Sequence, residues 1–135
     1  MKINLLFLLF GMSFAAHADL IVNVAPPKTV GQKAIVKLDL KNTFPEKIES
    51  ARASVFLLDE KGKMIGQSTK WVIGGTKNQA SLAPGATNSF FFVITSEKPF
   101  ATTNLATKVN FNRVVLEGGK LANPEKDVQI KDASK

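Results

Sequence analysis

Apolar and polar side chains alternate along residues 33–41. The apolar positions are Ala34, Val36, Leu38 and Leu40, and they alternate with Lys37, Asp39 and Lys41. Because the side chains of a β-strand point alternately to the two faces of a sheet, this pattern predicts a strand with one buried and one solvent-facing side.

Similar runs recur about every ten residues, with turn-forming residues between them. We expect strands at 20–24, 33–41, 50–59, 64–73, 88–95 and 107–117, and a short edge strand at 127–131. Pro26 and Pro27 end the first run, since proline cannot donate a hydrogen bond to a neighbouring strand. Asp59 and Gly62 favour a turn between two paired strands. The pattern predicts an all-β fold, an immunoglobulin-like antiparallel two-sheet sandwich of about seven strands, with a small closed barrel as the alternative.

The first residues have the features of a signal peptide. Lys2 precedes an apolar run that ends near Phe14, and Ala16 and Ala18 are the small residues that a signal peptidase needs at its cleavage site. The run is too short to span a bilayer, which takes about 20 residues, and we expect no transmembrane segment in the mature chain. We therefore expect a periplasmic or secreted protein, cleaved after Ala18.

The same sequence features divide the chain into three parts. Residues 1–18 are the signal peptide, residues 19–119 the sandwich domain, and residues 120–135 a polar tail that holds the short edge strand. The chain has no cysteine, so sheet pairing and packing must stabilise the domain without disulfides.

The chain carries 18 Lys and Arg residues against 11 Asp and Glu residues, a net charge of +7. Loss of Lys2 with the signal peptide leaves a net charge of +6. The charges are spread along the chain, and aromatic residues do not alternate with basic ones as in single-strand binders, so we expect no nucleic-acid partner. Lysine-based solubilisation explains the charge, and the alternative is a weak attraction to anionic surfaces such as envelope polymers or lipid headgroups.

The residue types exclude most catalytic chemistry. The chain has no Cys and no Tyr, and its single histidine, His17, lies in the signal peptide. Hydrolases with a Ser, Thr or Cys nucleophile need a neighbouring base, most often His, and zinc and copper sites need imidazole or thiolate ligands. Carboxylate pairs such as Asp59 and Glu60 fall in turns, where they do not face each other across a cleft. We therefore expect no enzymatic activity, no metal site and no cofactor.

One segment resembles a known family of domains. Residues 55–59, Val-Phe-Leu-Leu-Asp, followed by a turn at Gly62, are similar to the strand-and-turn signature Phe-x-Leu-Tyr-Asp of the FxLYD-type immunoglobulin-like domains. Leu57 and Asp59 match this signature, whereas Val55 replaces the Phe and Leu58 replaces the Tyr.

Two further segments extend the resemblance over about residues 33–116. The strand end at Asn42 is similar to the Val-x-Asn strand end of the family, and residues 82–85, Leu-Ala-Pro-Gly, lead into Phe90 as in its Leu-x-Pro-Gly…Phe segment. The resemblance implies an extracytoplasmic β-sandwich without an assigned catalytic activity, and it assigns no catalytic residue to this chain.

Two of the predicted strands are apolar on both sides. A two-sheet sandwich buries one face of each sheet, and the outer face is normally polar. The outward apolar positions therefore indicate a surface that is covered or that binds a partner, and they are Phe56, Leu58, Phe91 and Val93. The cover could be the 74–87 loop or the tail, a second copy of the chain, or another protein.

Trp71 is the only tryptophan of the chain. We expect it to fill the space between the two sheets, because large apolar side chains are usually buried there. The alternative is a platform on an edge strand, formed by Trp71 and Lys70, on which a sugar or a peptide could stack.

These observations favour a non-catalytic interaction or structural module of the cell envelope that works through a sheet face or a sheet edge. Its partner would be another envelope protein or a second copy of the chain. The alternative is a domain that binds a small ligand, such as a carbohydrate, with Trp71 and nearby lysines.

Overall fold

The structure is a computed structural model that describes residues 18–101 and 104–132. Within these residues the chain forms eight strands, and their bounds are β1 (Leu20–Val24), β2 (Lys28–Val30), β3 (Lys33–Asn42), β4 (Ile48–Leu58), β5 (Met64–Ile73), β6 (Thr87–Thr95), β7 (Ala106–Leu116) and β8 (Val128–Asp132). One turn of 3-10 helix, Glu117–Gly119, follows β7. The predicted signal peptide falls almost wholly on residues 1–17, outside the described ranges.

The strands form two sheets. In sheet A, β3 is central: β6 pairs along one of its edges, β1 and β2 pair along the other, and β8 lies beyond β1. In sheet B, β4 is central and lies between β5 and β7. Both central strands are long, and they supply most of the buried face of their sheets.

The core lies between the two sheets. Every second residue of β3 is buried there, as its alternation predicts, with exposures of 0 to 1% for Ala34, Val36, Leu38 and Leu40. Alternate residues of β4 face them from sheet B, and these are Ala51, Ala53, Val55 and Leu57, all fully buried. Removal of these aliphatic side chains from water is the main stabilising contribution to the fold.

The predicted two-sheet sandwich is confirmed, and the closed barrel is wrong, because no strand pairing joins the two sheets within the described residues. The described residues form eight strands rather than about seven, since Lys28–Val30 forms a short strand after the proline pair. One pairing also differs from the antiparallel prediction. β8 runs parallel to β1, with Leu20 beside Val128 and Val24 beside Asp132.

The connection between β5 and β6 is fastened to the ends of β3 and β4. Leu82 exchanges two backbone hydrogen bonds of 2.9 Å with Ile48, and its side chain is only 5% exposed. The backbone N–H of Gly85 donates to the carbonyl oxygen of Asn42 over 2.7 Å. These contacts hold the connection at one end of the sandwich.

Across residues 18–101 and 104–132, no helix has both the length and the apolar character needed to cross a membrane.

Candidate interaction surfaces

Phe91 and Val93 lie on the outer face of sheet A, where the register places them opposite Lys37 and Ile35 of β3. Phe91 is 56% exposed and Val93 is 44% exposed. The 74–87 loop and the described part of the tail therefore leave both side chains uncovered. The Lys37 Nζ lies 6.0 Å from the centroid of the Phe91 ring, within reach of a cation–π interaction.

Phe56 and Leu58 lie on the outer face of sheet B, and both are half-buried. The register places Phe56 between Gln67 of β5 and Lys108 of β7. A depression of about 440 Å³ opens on this face, lined by Phe56, Leu58, Met64, Lys108 and Asn110. Neighbouring side chains of the same sheet thus shield Phe56 and Leu58 in part.

The four predicted interface residues therefore do not form one surface. Phe56 and Leu58 belong to one outer face of the sandwich, and Phe91 and Val93 belong to the opposite one. A single flat partner cannot contact both pairs at once, so the two faces are separate candidate surfaces.

Trp71 is not the plug of the core, and that prediction is wrong. The side chain is half-buried and lies opposite Arg52 on the outer face of sheet B. The Arg52 guanidinium carbon lies 5.9 Å from the centroid of the indole ring, within cation–π range. Gly75 approaches the ring so closely that a Cβ atom there would lie 2.3 Å from the ring carbon Cδ2. The large aromatic side chain that fills the core instead is Phe92, which is fully buried.

A bulge explains the outward direction of Trp71. Ala51 pairs with Ile73, whereas Arg52 pairs with Trp71, so Val72 is an extra residue on β5. A bulge of this kind reverses the side of the sheet to which the following residues point. Both Val72 and Ile73 are consequently buried, at 1% exposure each, and Trp71 points outward.

Trp71 and Lys70, the two residues of the predicted ligand platform, line the same shallow depression. Its other lining residues are Thr69, Thr76, Asn78, Gln79 and Phe90. Gln79 Nε2 donates to the backbone carbonyl oxygen of Trp71 over 2.8 Å and holds the loop against the strand. The contacts of Gly75 and Arg52 cover part of the ring, so the aromatic area left for a ligand is smaller than a free platform offers.

Phe91 has neighbours on sheet A that the sequence pattern did not reveal. Lys28 of β2 lies opposite Ile35, and Val30, which is 64% exposed, lies opposite Lys33. The strand pattern of residues 33–41 could have shown that Ile35 and Lys33 point outward. The position of β2 beside them depends on a pairing that no local pattern reveals.

Asp59 serves the turn that the sequence predicts for it. Its Oδ1 accepts hydrogen bonds of 2.9 Å from the backbone N–H groups of Lys63 and Lys61. These bonds favour the ionised carboxylate, and they hold the pKa of Asp59 below its usual value. In residues 18–101 and 104–132, no three or more His, Cys, Asp or Glu side chains are grouped in a way that could hold a metal ion.

No family model matches this chain. No curated protein matches it either. The resemblance to the FxLYD-type domains therefore stays a prediction from residues 33–116.

Solved structures share the fold. A protein from Bordetella pertussis described as ApaA is 19% identical, with a TM-score of 0.56 over 77% of this chain and 85% of its own. The structural genomics target SoR45 is 14% identical, with a TM-score of 0.55 over 81% of this chain and 83% of its own. IrmA from Escherichia coli is 13% identical, with a TM-score of 0.51 over 83% of this chain and 92% of its own. At these identities the likeness concerns the β-sandwich alone.

Proposed function

We propose that this chain is a non-catalytic interaction module of the cell envelope, which works in the periplasm or outside the cell after cleavage at Ala18. The observation that carries the proposal is the pair Phe91 and Val93, more than two-fifths exposed on the outer face of sheet A with lysines beside them. Exposed aromatic and aliphatic side chains that are grouped on one face are typical of binding surfaces.

The composition supports a binding role over a catalytic one. With His17 in the leader, the mature chain keeps no histidine, cysteine or tyrosine to transfer protons or bind transition metals. The partner would be an envelope component that contacts an outer sheet face, whether a membrane, another protein or a second copy of the chain.

In-cell photo-cross-linking tests this proposal. A photoreactive benzoylphenylalanine at position 91 should give adducts in intact cells, and mass spectrometry can identify a lipid, a second copy or another protein in them. The matched control carries the same group at position 126, where the exposed Lys126 lies in the turn before β8. If positions 91, 93 and 56 all give no more adduct than position 126, the proposal is wrong.

The second candidate is a small-ligand binding site at Trp71 and Lys70. It is favoured by the depression that both residues line together with polar side chains of the 74–87 loop. An aromatic ring beside such polar groups is suited to a carbohydrate. Titration with neutral and acidic oligosaccharides should then change the Trp71 fluorescence and shift the amide resonances of Thr76 and Gln79. Unchanged spectra at millimolar sugar would exclude this candidate.

A further inference from the structure

The outer face of sheet A places lysine and apolar side chains next to each other. Across the strands, Phe91 is opposite Lys37, Ile35 is opposite both Val93 and Lys28, and Val30 is opposite Lys33. We call these seven residues the lysine–apolar face, and its members are Lys28, Val30, Lys33, Ile35, Lys37, Phe91 and Val93.

Three of the four apolar members of this face are exposed to solvent, and the fourth, Ile35, is half-buried. Val30 is 64% exposed, Phe91 is 56% exposed and Val93 is 44% exposed. They come from two strands, β2 and β6, that lie on opposite sides of β3. The exposed apolar area is therefore spread over the width of three strands instead of being gathered in one pocket.

The charge of this side of the sheet is strongly positive. The outward positions of the described strands carry Lys28, Lys33, Lys37, Lys41 and Lys131. The carboxylate among these outward positions is Asp39, which lies 3.7 Å from the Lys37 Nζ and accepts a hydrogen bond of 2.6 Å from the Ser89 Oγ. A second carboxylate, that of Asp19, accepts a hydrogen bond from the outward Gln129 side chain of β8. Two acidic groups cannot neutralise five lysines, so the outer face of sheet A presents a net positive potential.

The kind of cation indicates the kind of partner. The five cations just named on the outer face of sheet A are all lysines. Arg52 and Arg113 lie opposite each other on the outer face of sheet B. Arginine is the residue that protein interfaces favour, and lysine is depleted in them. A lysine side chain carries a mobile point charge on an apolar stem, which suits a continuous anionic surface better than a single fixed carboxylate.

We propose that the lysine–apolar face docks on the surface of a bilayer that contains anionic phospholipid. Phe91, Val93 and Val30 enter the headgroup region, and Lys28, Lys33 and Lys37 reach the lipid phosphates around them. This inference rests on the proposed function, and it names the envelope component that the face binds.

Lipid vesicles provide the test. The purified protein should partition onto vesicles made of equal parts phosphatidylglycerol and phosphatidylcholine, should not partition onto pure phosphatidylcholine, and should dissociate as salt is raised. Each lysine near an anionic surface strengthens binding about fivefold. The triple variant Lys28→Gln, Lys33→Gln, Lys37→Gln should therefore bind about 100-fold more weakly.

The control variant changes three exposed lysines elsewhere, with Lys77→Gln, Lys108→Gln and Lys126→Gln, and has the same net charge. It should bind within about threefold of the unchanged protein, because none of its three lysines belongs to the lysine–apolar face. Equal losses in the two triple variants, or equal binding to both kinds of vesicle, would overturn the proposal. Circular dichroism checks that all variants are folded.

A second measurement does not depend on charge. Trp71 lies on the opposite outer face, so brominated phospholipids should leave its fluorescence unquenched in the bound protein. The variant Phe91→Trp in a Trp71→Phe background should be quenched, because its indole enters the headgroup region. Quenching of Trp71 without quenching at position 91 would mean that the other face contacts lipid, and it would contradict the inference.

The two proposals fail in different ways. If vesicles do not bind the protein while position 91 forms a specific protein adduct in cells, the bilayer inference is wrong and the interaction module stands. If neither vesicles nor cells yield contacts at position 91, position 93 or position 56, both proposals are wrong.

Discussion

The side-chain nitrogen of Asn42 donates to the carbonyl oxygen of Leu82 over 2.9 Å, and this bond ties the end of β3 to the connection between β5 and β6. Asn42 is fully buried. It also donates to the carbonyl oxygen of Glu46 over 2.9 Å and accepts from the backbone N–H of Phe44 over 2.8 Å. One amide side chain thus satisfies three backbone groups at the end of the sandwich.

Replacement of this amide should destabilise the protein strongly. Asn42→Ala removes the partner that the side chain gives to the Phe44 N–H and to the Glu46 carbonyl oxygen, and leaves the Leu82 carbonyl oxygen with the bond from Ile48 alone. We expect a loss of about 3 kcal/mol in the free energy of unfolding. Urea unfolding measures the loss. The matched control is Asn88→Ala, an exposed asparagine on the neighbouring strand, which should cost less than about 0.5 kcal/mol. Equal costs at the two sites would show that the buried network contributes nothing specific.

Alanine substitutions at two glycines separate the stability cost of a steric clash from that of a strained backbone conformation. Gly74 and Gly62 both have positive φ, at 52° and 81°. A Cβ atom on Gly74 would lie 1.9 Å from the carbonyl oxygen of Glu49, whereas nothing lies within 4 Å of the corresponding position at Gly62. Gly62→Ala should therefore cost about 1 kcal/mol from backbone conformation alone.

The clash at Gly74 should add to that cost. We expect Gly74→Ala to lower the free energy of unfolding by about 3 kcal/mol or more, since backbone cannot move aside as a flexible side chain can. Thermal unfolding of both variants under the same conditions makes the comparison. A Gly74 variant as stable as the Gly62 variant would be inconsistent with the close approach of β4 to this turn.

The outward position of Trp71 has its own consequence for stability. Trp71→Ala should cost about 1–2 kcal/mol, because the ring loses only partial burial and its contacts with Arg52 and Gly75. Phe92→Ala removes a fully buried ring and should cost about 4 kcal/mol. Chemical unfolding of the two variants distinguishes them. A larger loss for Trp71→Ala would mean that tryptophan, and not Phe92, fills the core.

The turn between β4 and β5 should respond to acid. The backbone hydrogen bond from Lys63, assisted by the one from Lys61, lowers the pKa of Asp59 below its ordinary value of 3.8. A lowered pKa in the folded state means that the stabilising contribution is complete above the pKa of the unfolded chain and is lost as the pH falls through the folded-state value. An NMR titration should give an Asp59 midpoint below 3.8. The amide resonances of Lys61 and Lys63 should follow it, and Asp59→Asn should abolish this transition. A midpoint above 3.8 would contradict the role of these bonds.

The strands that hold the core could be predicted from the sequence because their signal is local. In β3 the alternation of Ala34, Val36, Leu38 and Leu40 with polar residues defines both the strand and its buried side. The outward direction of Phe56, Leu58, Phe91 and Val93 follows from the same rule. These predictions depend only on the period of two along one strand.

Other features depend on pairings between distant residues. The division of the four outward side chains between opposite faces follows from which strands share a sheet, and a period of two carries no information about that. Trp71 points outward because of a bulge at Val72, and the apolar run of β5 does not mark its position. Lys28 and Val30 lie on the same face as Phe91 only because the chain forms a second strand, β2, after two prolines, and this strand pairs with β3.

The parallel alignment of Leu20 with Val128 joins segments separated by most of the polypeptide. β1 gains its second neighbouring strand only after β8 has been synthesised. Sheet A is therefore completed near the end of translation. Contacts with such large sequence separation make folding slow, because a long loop must close before they form. Until that pairing forms, one edge of β1 has no partner strand, and its backbone N–H and C=O groups are open to pairing with another chain.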